Sequence, residues 1–119
     1  MNTPDEHDAP VDMDWLRECS DNDAETMTSL LTLFLTRTAQ MIDELDGALA
    51  ANSAADVRRI SHACAGSSGA CGMVTLAPLF KELERMGAGN NLSDAAGRAR
   101  LVRSEFERVK VFVKNNGLA

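Results

Sequence analysis

The stretch Arg58–Gly72, RRISHACAGSSGACG, holds one of the two histidines of the chain and consists otherwise mostly of small residues. Positions expected to face the core recur here at steps of three and four and form a seam along one side of the stretch: Val57, Ile60, Cys64, Ser67, Cys71 and Val74. Ser53 and Asp56 have the spacing of a capping box, so we expect a helix to begin near Ala54. The stretch is therefore predicted to be an amphipathic helix, although each of its internal glycines costs about 1 kcal/mol relative to alanine.

The predicted seam turns His62 toward solvent. A helix turns about 100° per residue, so His62 lies about 200° from both Ile60 and Cys64. The residues that share its face are Ala65, Gly66 and Gly69 on the C-terminal side and Ala55, Arg58 and Arg59 on the N-terminal side. Because no long side chain follows the imidazole, the pattern favours clearance for a partner that approaches the ring over close packing of another helix against the glycines.

The sequence places no catalytic machinery beside His62. Ser67 and Ser68 lie about 140° and 120° away around the helix, so we expect them to bond back to carbonyls one turn earlier or to reach an adjacent helix. Cys64 and Cys71 lie on the seam, are expected to be buried, and share no metal with His62. A Gly-rich phosphate loop of the P-loop form is absent from the sequence. A neutral imidazole is a usable nucleophile, so we expect a partner to bring the catalytic groups.

Two helices are predicted before this one. Asp12 can cap a short helix whose inward residues are predicted to be Trp15, Leu16 and Cys19. Ser20 and Asp23 have capping-box spacing and predict the start of a long amphipathic helix. Its apolar positions are expected at Met27, Leu31, Phe34, Thr38, Met41, Leu45 and Ala48.

Two more helices are predicted after it. Thr75 can cap the first, Pro78 fits its first turn, and Gly87 is placed to end it. The second is expected to end at about Lys114 and to bury Val102, Phe106, Val109 and Val113. Short connections favour antiparallel neighbours. The predicted fold is all-α: an antiparallel up-down four-helix bundle with a short additional N-terminal helix, over residues 12–116, after a flexible N-terminal arm over residues 1–11.

The composition narrows the class of protein. The chain has 119 residues, enough for one domain, and is 45% hydrophobic and 25% charged. A net charge of −6 without a basic stripe argues against nucleic acid as a partner. No apolar run approaches the roughly 20 residues of a membrane span, and the polar first ten residues do not form a signal peptide. Three cysteines favour a reducing compartment, so we expect a cytoplasmic protein without membrane contact.

At the residues around His62 the chain resembles the histidine-containing phosphotransfer (HPt) domain family. The family motif is close to His-x-Leu-Lys-Gly-Ser-Ser-x-x-Leu/Ile-Gly-Ala. Here His62, Gly66, the Ser67–Ser68 pair and Gly72 match it. The later segment LFKELERMG resembles the helix that follows the motif in the family, and Phe34 falls where the preceding long helix commonly has Phe. The resemblance covers roughly residues 13–115.

The resemblance implies a phosphoryl carrier rather than an enzyme. Family members accept a phosphoryl group on the histidine from the phospho-aspartate of a receiver domain, such as that of a hybrid sensor kinase, and pass it to another receiver. His62 would be the phosphoacceptor, in the environment of Arg58, Arg59, Ala65 and Gly66. Ala55, Gly69 and Ala70 would belong to the docking surface. No cofactor or metal is expected on this chain, since Mg²⁺ belongs to the partner receiver, and by analogy the protein is expected to be a monomer.

One position departs from the family pattern. Family members usually carry Lys three residues after the histidine, beside the phosphoryl group, and this chain has Ala65. Our hypothesis is that Arg58 or Arg59 supplies the positive charge; both are equally consistent with solvated surface arginines. Three other functions remain open: a helical interaction module of this fold that has lost phosphotransfer, a phosphoacceptor domain of the chemotaxis-kinase type, and a small enzyme or metal protein, which the geometry around His62 disfavours.

Overall fold

The structure, a computed structural model, describes residues 9–118 and contains five helices there. In chain order they are α1 (Met13–Cys19), α2 (Ala24–Ala50), α3 (Ala54–Ala70), α4 (Leu76–Ala88) and α5 (Ala95–Asn115). Within residues 9–118 there is no strand, and the all-α prediction is confirmed. None of these helices is long and apolar enough to cross a membrane.

Helix α1 is short and buries one residue, Leu16, in the core. Asp12 caps it as predicted, because its Oδ1 accepts a hydrogen bond from the backbone N–H of Trp15 at 3.1 Å. Leu16 is fully buried, but Trp15 is 45% exposed and Cys19 is exposed, so the prediction that both turn inward is wrong. A helix of two turns offers the core only one position in every three or four. The indole of Trp15 lies instead against the end of α3, where its Nε1–H donates to the carbonyl of Ala70 at 2.9 Å.

Helix α2 begins three residues later than the predicted capping box. Its cap is Asp23, whose Oδ2 accepts from the backbone N–H of Thr26 at 3.1 Å. Ser20, predicted to be the cap, instead ends α1, and its hydroxyl donates to the carbonyl of Leu16 at 2.7 Å. The carboxylate at Asp23 thus replaces the hydroxyl as the acceptor for the first free N–H groups of α2.

The buried stripe of α2 drifts around the helix. Its buried residues are Met27, Leu31, Phe34, Thr38, Ile42, Leu45 and Ala48. The prediction had Met41 in place of Ile42, and Met41 is only partly buried. Strictly alternating steps of four and three assume 3.5 residues per turn, whereas a straight helix has 3.6. The stripe therefore shifts by about 20° per heptad, which over 27 residues brings Ile42 to the core.

Helices α3 and α4 approach each other closely at Gly87. Helix α3 begins at Ala54 as predicted, with the hydroxyl of Ser53 accepting from the N–H of Asp56 at 3.4 Å. Gly87 does not end α4; it is buried within the helix, which continues to Ala88. A Cβ at this position would lie 2.6 Å from the backbone nitrogen of Arg58 and 2.7 Å from the carbonyl oxygen of Ala54. The missing side chain is therefore what allows the two backbones to come together.

Helix α5 completes the core. Val102, Phe106, Val109 and Val113 are buried as predicted, and Ala95 and Ala99 join them. Thr75 precedes α4 but makes no side-chain cap bond; its hydroxyl donates to Glu105 Oε2 at 2.6 Å and ties the start of α4 to α5. The core also includes Val11, which is 3% exposed although the sequence placed it in the flexible arm. The rest of the predicted arm, residues 1–8, lies outside the described residues.

Candidate functional site

His62 projects from α3 into solvent, as the angular argument predicted. Its side chain is 76% exposed. The buried residues of α3 are Val57, Ile60, Ser61, Cys64, Ala65 and Ser68. Their directions span an arc of roughly 140° at about 100° per residue, and His62 lies just beyond the edge of that arc. His62 is therefore held beside the neighbouring helix α4 rather than on the far side of α3.

The imidazole of His62 is oriented by a carboxylate from α4. Its Nδ1 lies 2.8 Å from Glu84 Oε2. Glu84 is 29% exposed, so the contact is partly shielded from water. An ionised carboxylate only accepts hydrogen bonds, so Nδ1 carries the proton and donates it. The lone pair is consequently on Nε2, the nitrogen farther from the backbone, which is left free to react.

A groove of about 1080 Å³ runs between α3 and α4 past His62. Its charged lining residues are Arg58, Lys81, Glu84 and Arg85. The chain as a whole carries 18 acidic and 12 basic residues, yet the groove is lined by three cations and one carboxylate. The local charge of the site is thus opposite in sign to the net charge of the protein, which favours an anionic group at this position.

Small residues keep the C-terminal side of His62 clear. Apart from the neighbouring residues and backbone of α3 itself, no heavy atom lies within 4 Å of the place where a Cβ on Gly66 or Gly69 would stand. Both glycines and Ala70 are exposed and line the groove. No neighbouring helix packs against these glycines, which agrees with the prediction that they leave space beside the ring. A surface of another protein can reach the imidazole from this side without displacing a side chain.

Of the remaining predicted site residues, some line the groove and others do not. Ala65 lines the groove but is 5% exposed, so its methyl group is packed between α3 and α4 rather than presented to solvent. Arg58 lines the groove, whereas Arg59 does not and is paired with Asp56 at 3.5 Å. Ala55 is exposed and also lies outside the groove lining. Only Arg58 of the two predicted arginines therefore shares the groove with His62.

The serines and cysteines of α3 serve packing. Ser67 bonds back to the carbonyl of Cys64 at 3.2 Å, as predicted, although Ser67 is exposed and not on the buried seam. Ser68 is fully buried, and its hydroxyl has no partner among the described residues. Cys64 is also buried; burial raises the pKa of its thiol to about 12, with a smaller contribution from the charge of Glu44. The thiolate is therefore scarce at neutral pH, which excludes Cys64 as a nucleophile there.

Cys71 is half-buried, and burial raises the pKa of its thiol as well, with the nearby Cys19 adding to the shift. The predicted seam position at Val74 is 51% exposed, because α3 ends at Ala70 and the chain turns away from the core. Across residues 9–118, no group of three or more His, Cys, Asp or Glu side chains could hold a metal ion.

Three groove residues were given no role by the sequence analysis. Lys81, Glu84 and Arg85 lie on α4, and no spacing within α3 points to them. Their signal lay in the pattern of α4 itself, where Lys81 and Arg85 stand one turn apart on the side away from Phe80 and Leu83, and Glu84 stands at the edge of the buried stripe. That pattern is typical of any solvated helix face, so only the packing of α4 on α3 identifies them as neighbours of His62.

Comparisons with known proteins identify the family and the fold. The sequence model of the Hpt domain matches residues 29–111, which is more than half of the chain. The crystal structure of histidine-containing phosphotransfer protein B (HptB) from Pseudomonas aeruginosa PAO1 superimposes with a TM-score of 0.84. The two sequences are 24% identical, and the superposition covers 92% of this chain and 96% of that chain, which shows a shared fold. No curated protein matches the sequence.

Proposed function

This chain belongs to the Hpt domain family, and on that premise we propose that it carries a phosphoryl group on His62 in a multistep phosphorelay. The group would arrive from the phospho-aspartate of one receiver domain, such as that of a hybrid sensor kinase, and leave to the aspartate of another. The observation that carries the proposal is the imidazole itself: it is 76% exposed, has its Nδ1 bound to Glu84, and stands beside a groove cleared by two glycines.

The chemistry requires little from this chain beyond position. Nε2 of His62 attacks the phosphorus of the aspartyl phosphate, the P–Nε2 bond forms, and the P–O bond to the aspartate breaks. The aspartate leaves as a carboxylate, and the second transfer runs the same exchange in reverse on another receiver. Glu84 holds the Nδ1 proton throughout, which directs the lone pair of Nε2 toward the incoming group.

The partner would supply the rest of the site. Mg²⁺ and the groups that stabilise the transferring phosphoryl are expected on the receiver, so the chain acts as a carrier and not as a kinase. Gly66, Gly69 and Ala70 support a docking surface at the C-terminal side of His62, with Ala55 as a more distant part. Such contacts are typically small and transient. Because these receivers act in the cytoplasm, the proposal places the protein there.

Positive charge near the phosphoryl group is part of the proposal. With Ala65 in the place of the usual Lys, Arg58 is the predicted arginine that the groove geometry supports. Arg59 remains a weaker candidate because it is engaged by Asp56. Substituting Arg58 by Ala should slow transfer to His62, and substituting Arg59 by Ala should do so only if its pairing with Asp56 opens.

Incubation with a phosphorylated receiver and Mg²⁺ tests the proposal. We expect acid-labile, base-stable label on the wild-type chain and none on His62→Gln, which removes the nucleophile from an exposed position. Circular dichroism of the variant should be unchanged, since His62 packs against nothing in the core. Label that persists on His62→Gln, or a wild-type chain that takes none from any phosphorylated receiver, would contradict the proposal.

A second candidate function is a helical interaction module that has lost phosphotransfer. The observation in its favour is Ala65, which removes the charge that most family members have. This module would bind receivers without being labelled, so binding without label in the same experiment would support it. A phosphoacceptor domain of the chemotaxis-kinase type would instead be labelled by a kinase domain with ATP and not by a phosphorylated receiver.

The same proposal includes the finer architecture. We infer that α2, α3, α4 and α5 form an antiparallel up-down bundle with α1 as an addition, over residues 12–116 and with Val11 packed into its core. The short connections between helices support this arrangement. A monomer is expected in solution by analogy with other single-histidine bundles, and sedimentation measurements would test that expectation.

A further inference from the structure

Two cations on α4, Lys81 and Arg85, bracket the carboxylate that holds His62. They stand one turn apart at positions i and i+4, on the side of the helix that lines the groove with Glu84. Like charges at this spacing repel each other and weaken a helix. Arg85 lies in the last turn, where the helix dipole offsets part of that cost, but Lys81 does not.

Neither cation is neutralised within the described part of the chain. Arg59, Arg98 and Arg103 each form an ion pair, whereas neither Lys81 nor Arg85 does. The one groove carboxylate, Glu84, is bound to the ring of His62. Both cations are exposed, so their side chains are free to move toward an anion in the groove.

The packing of α3 on α4 sets these cations at the level of the ring. Gly87 touches the backbone of Ala54 and Arg58, and Glu84 touches His62, so residue numbers rise along one helix as they fall along the other. Three residues before Glu84, at about 1.5 Å per residue, α4 has reached the level just beyond His62, where the α3 side chain is the small Ala65. Lys81 thus lies along α4 near the level of Ala65, where α3 itself offers no charge, and both residues line the groove.

We propose that Lys81 and Arg85 together supply positive charge for the phosphoryl group on His62 from the helix across the groove, in addition to Arg58 on α3. The inference rests on the phosphotransfer function proposed above and adds two residues to that site. A phosphoryl group brings about two negative charges, and here it would stand near the carboxylate of Glu84. Two exposed cations beside that carboxylate offset the repulsion and draw an anionic phosphoryl donor to Nε2.

Chemical labelling without a receiver tests this proposal. Phosphoramidate transfers its phosphoryl group to Nε2 as its P–N bond breaks, the P–Nε2 bond forms, and ammonia leaves. The variant is Lys81→Gln combined with Arg85→Gln, measured at pH 8 and low salt by mass spectrometry of the peptide that contains His62. Exposed charge pairs contribute about 0.2–1 kcal/mol each, so we expect labelling to slow roughly fivefold, and the difference to shrink at high salt.

Three controls separate the effect of charge from other causes. Diethyl pyrocarbonate, a neutral reagent that acylates the same nitrogen, should label the variant and the wild type at equal rates. Arg100→Gln combined with Lys114→Gln removes the same charge from α5 outside the groove and should leave phosphoramidate labelling unchanged. Lys81→Arg combined with Arg85→Lys keeps both charges and should label at the wild-type rate.

The outcomes are distinguishable from those of the receiver experiment. A double Gln variant that reacts with phosphoramidate at the wild-type rate overturns the assignment, even if a receiver labels His62. The assignment is supported if the double Gln variant is labelled more slowly by phosphoramidate but not by diethyl pyrocarbonate. This holds even if no receiver phosphorylates His62 and the relay proposal fails. Equal slowing with both reagents overturns it too, because the loss would then lie in the reactivity of the imidazole and not in its charge environment.

Discussion

The imidazole of His62 has two nitrogens, and the structure uses them differently. Glu84 accepts the hydrogen bond from Nδ1 at 2.8 Å, so the tautomer with a free Nε2 is favoured. The exposed imidazole of His62 is the reactive group, and Glu84, 22 residues away on α4, determines which of its nitrogens is free. Glu84 positions the imidazole and takes no direct part in the transfer, because it touches the ring and not the phosphoryl group.

Glu84→Ala should slow transfer of the phosphoryl group to His62 about fivefold, since a hydrogen bond contributes about 1 kcal/mol net. Glu84→Gln should lose less, because its amide oxygen still accepts from Nδ1. Rates of label transfer from a phosphorylated receiver measure both. Glu107→Ala, on α5 and outside the groove, is the matched control. Wild-type rates in Glu84→Ala would show that the contact does not orient the ring.

At the scale of the elements, the pairing of α3 with α4 builds the site. The backbones of α3 and α4 come closest at Gly87, and this approach places Glu84 beside His62. From there the groove between the two helices extends to Ala70. The glycines of α3 act in the opposite sense, because Gly66 and Gly69 have open space where a Cβ would stand. Glycine thus brings two helices together at one position and leaves a surface accessible at two others.

Gly87→Ala should destabilise the protein by about 1–2 kcal/mol. The new Cβ would stand 2.6 Å from the nitrogen of Arg58 and force the helices apart, at a cost of about 1–3 kcal/mol that the better helix propensity of Ala only partly offsets. Urea unfolding measures the change. Gly47→Ala, which has open space on α2, should instead stabilise by about 0.5–1 kcal/mol. A Gly87→Ala variant as stable as the wild type would contradict the close-approach reading.

At the scale of the whole molecule, α1 packs beside the end of the groove that Ala70 and Gly72 line. Trp15 bonds to the carbonyl of Ala70, and its ring carbon Cδ1 lies 3.2 Å from the place where a Cβ on Gly72 would stand. Gly72 has a φ of +71°, and its carbonyl accepts from the N–H of Asp12 at 2.8 Å. Residues that are 55 positions apart in the chain are thereby joined beside the proposed docking surface.

Docking of a receiver should change the fluorescence of Trp15, the single tryptophan of the chain. A partner that covers Gly69 and Ala70 would also shield the indole, which is 45% exposed, and shift its emission to shorter wavelength. Titration with a receiver that lacks tryptophan measures the shift, and Trp15→Phe should abolish the signal. Transfer of label without any change in emission would show that the docking surface ends before Ala70.

The sequence by itself determined the helices, the exposure of His62 and the clearance on its C-terminal side, because these follow from periodicity along one helix. It predicted Met41 in the core in place of Ile42, because a heptad pattern ignores the drift of a helix with 3.6 residues per turn. It also predicted that Gly87 ends α4. The tertiary structure alone decided that Glu84 holds the ring and that Lys81 and Arg85 share its groove. Those contacts depend on how far α4 slides along α3, and that register is set by the fit at Gly87, which no pattern within a single helix contains.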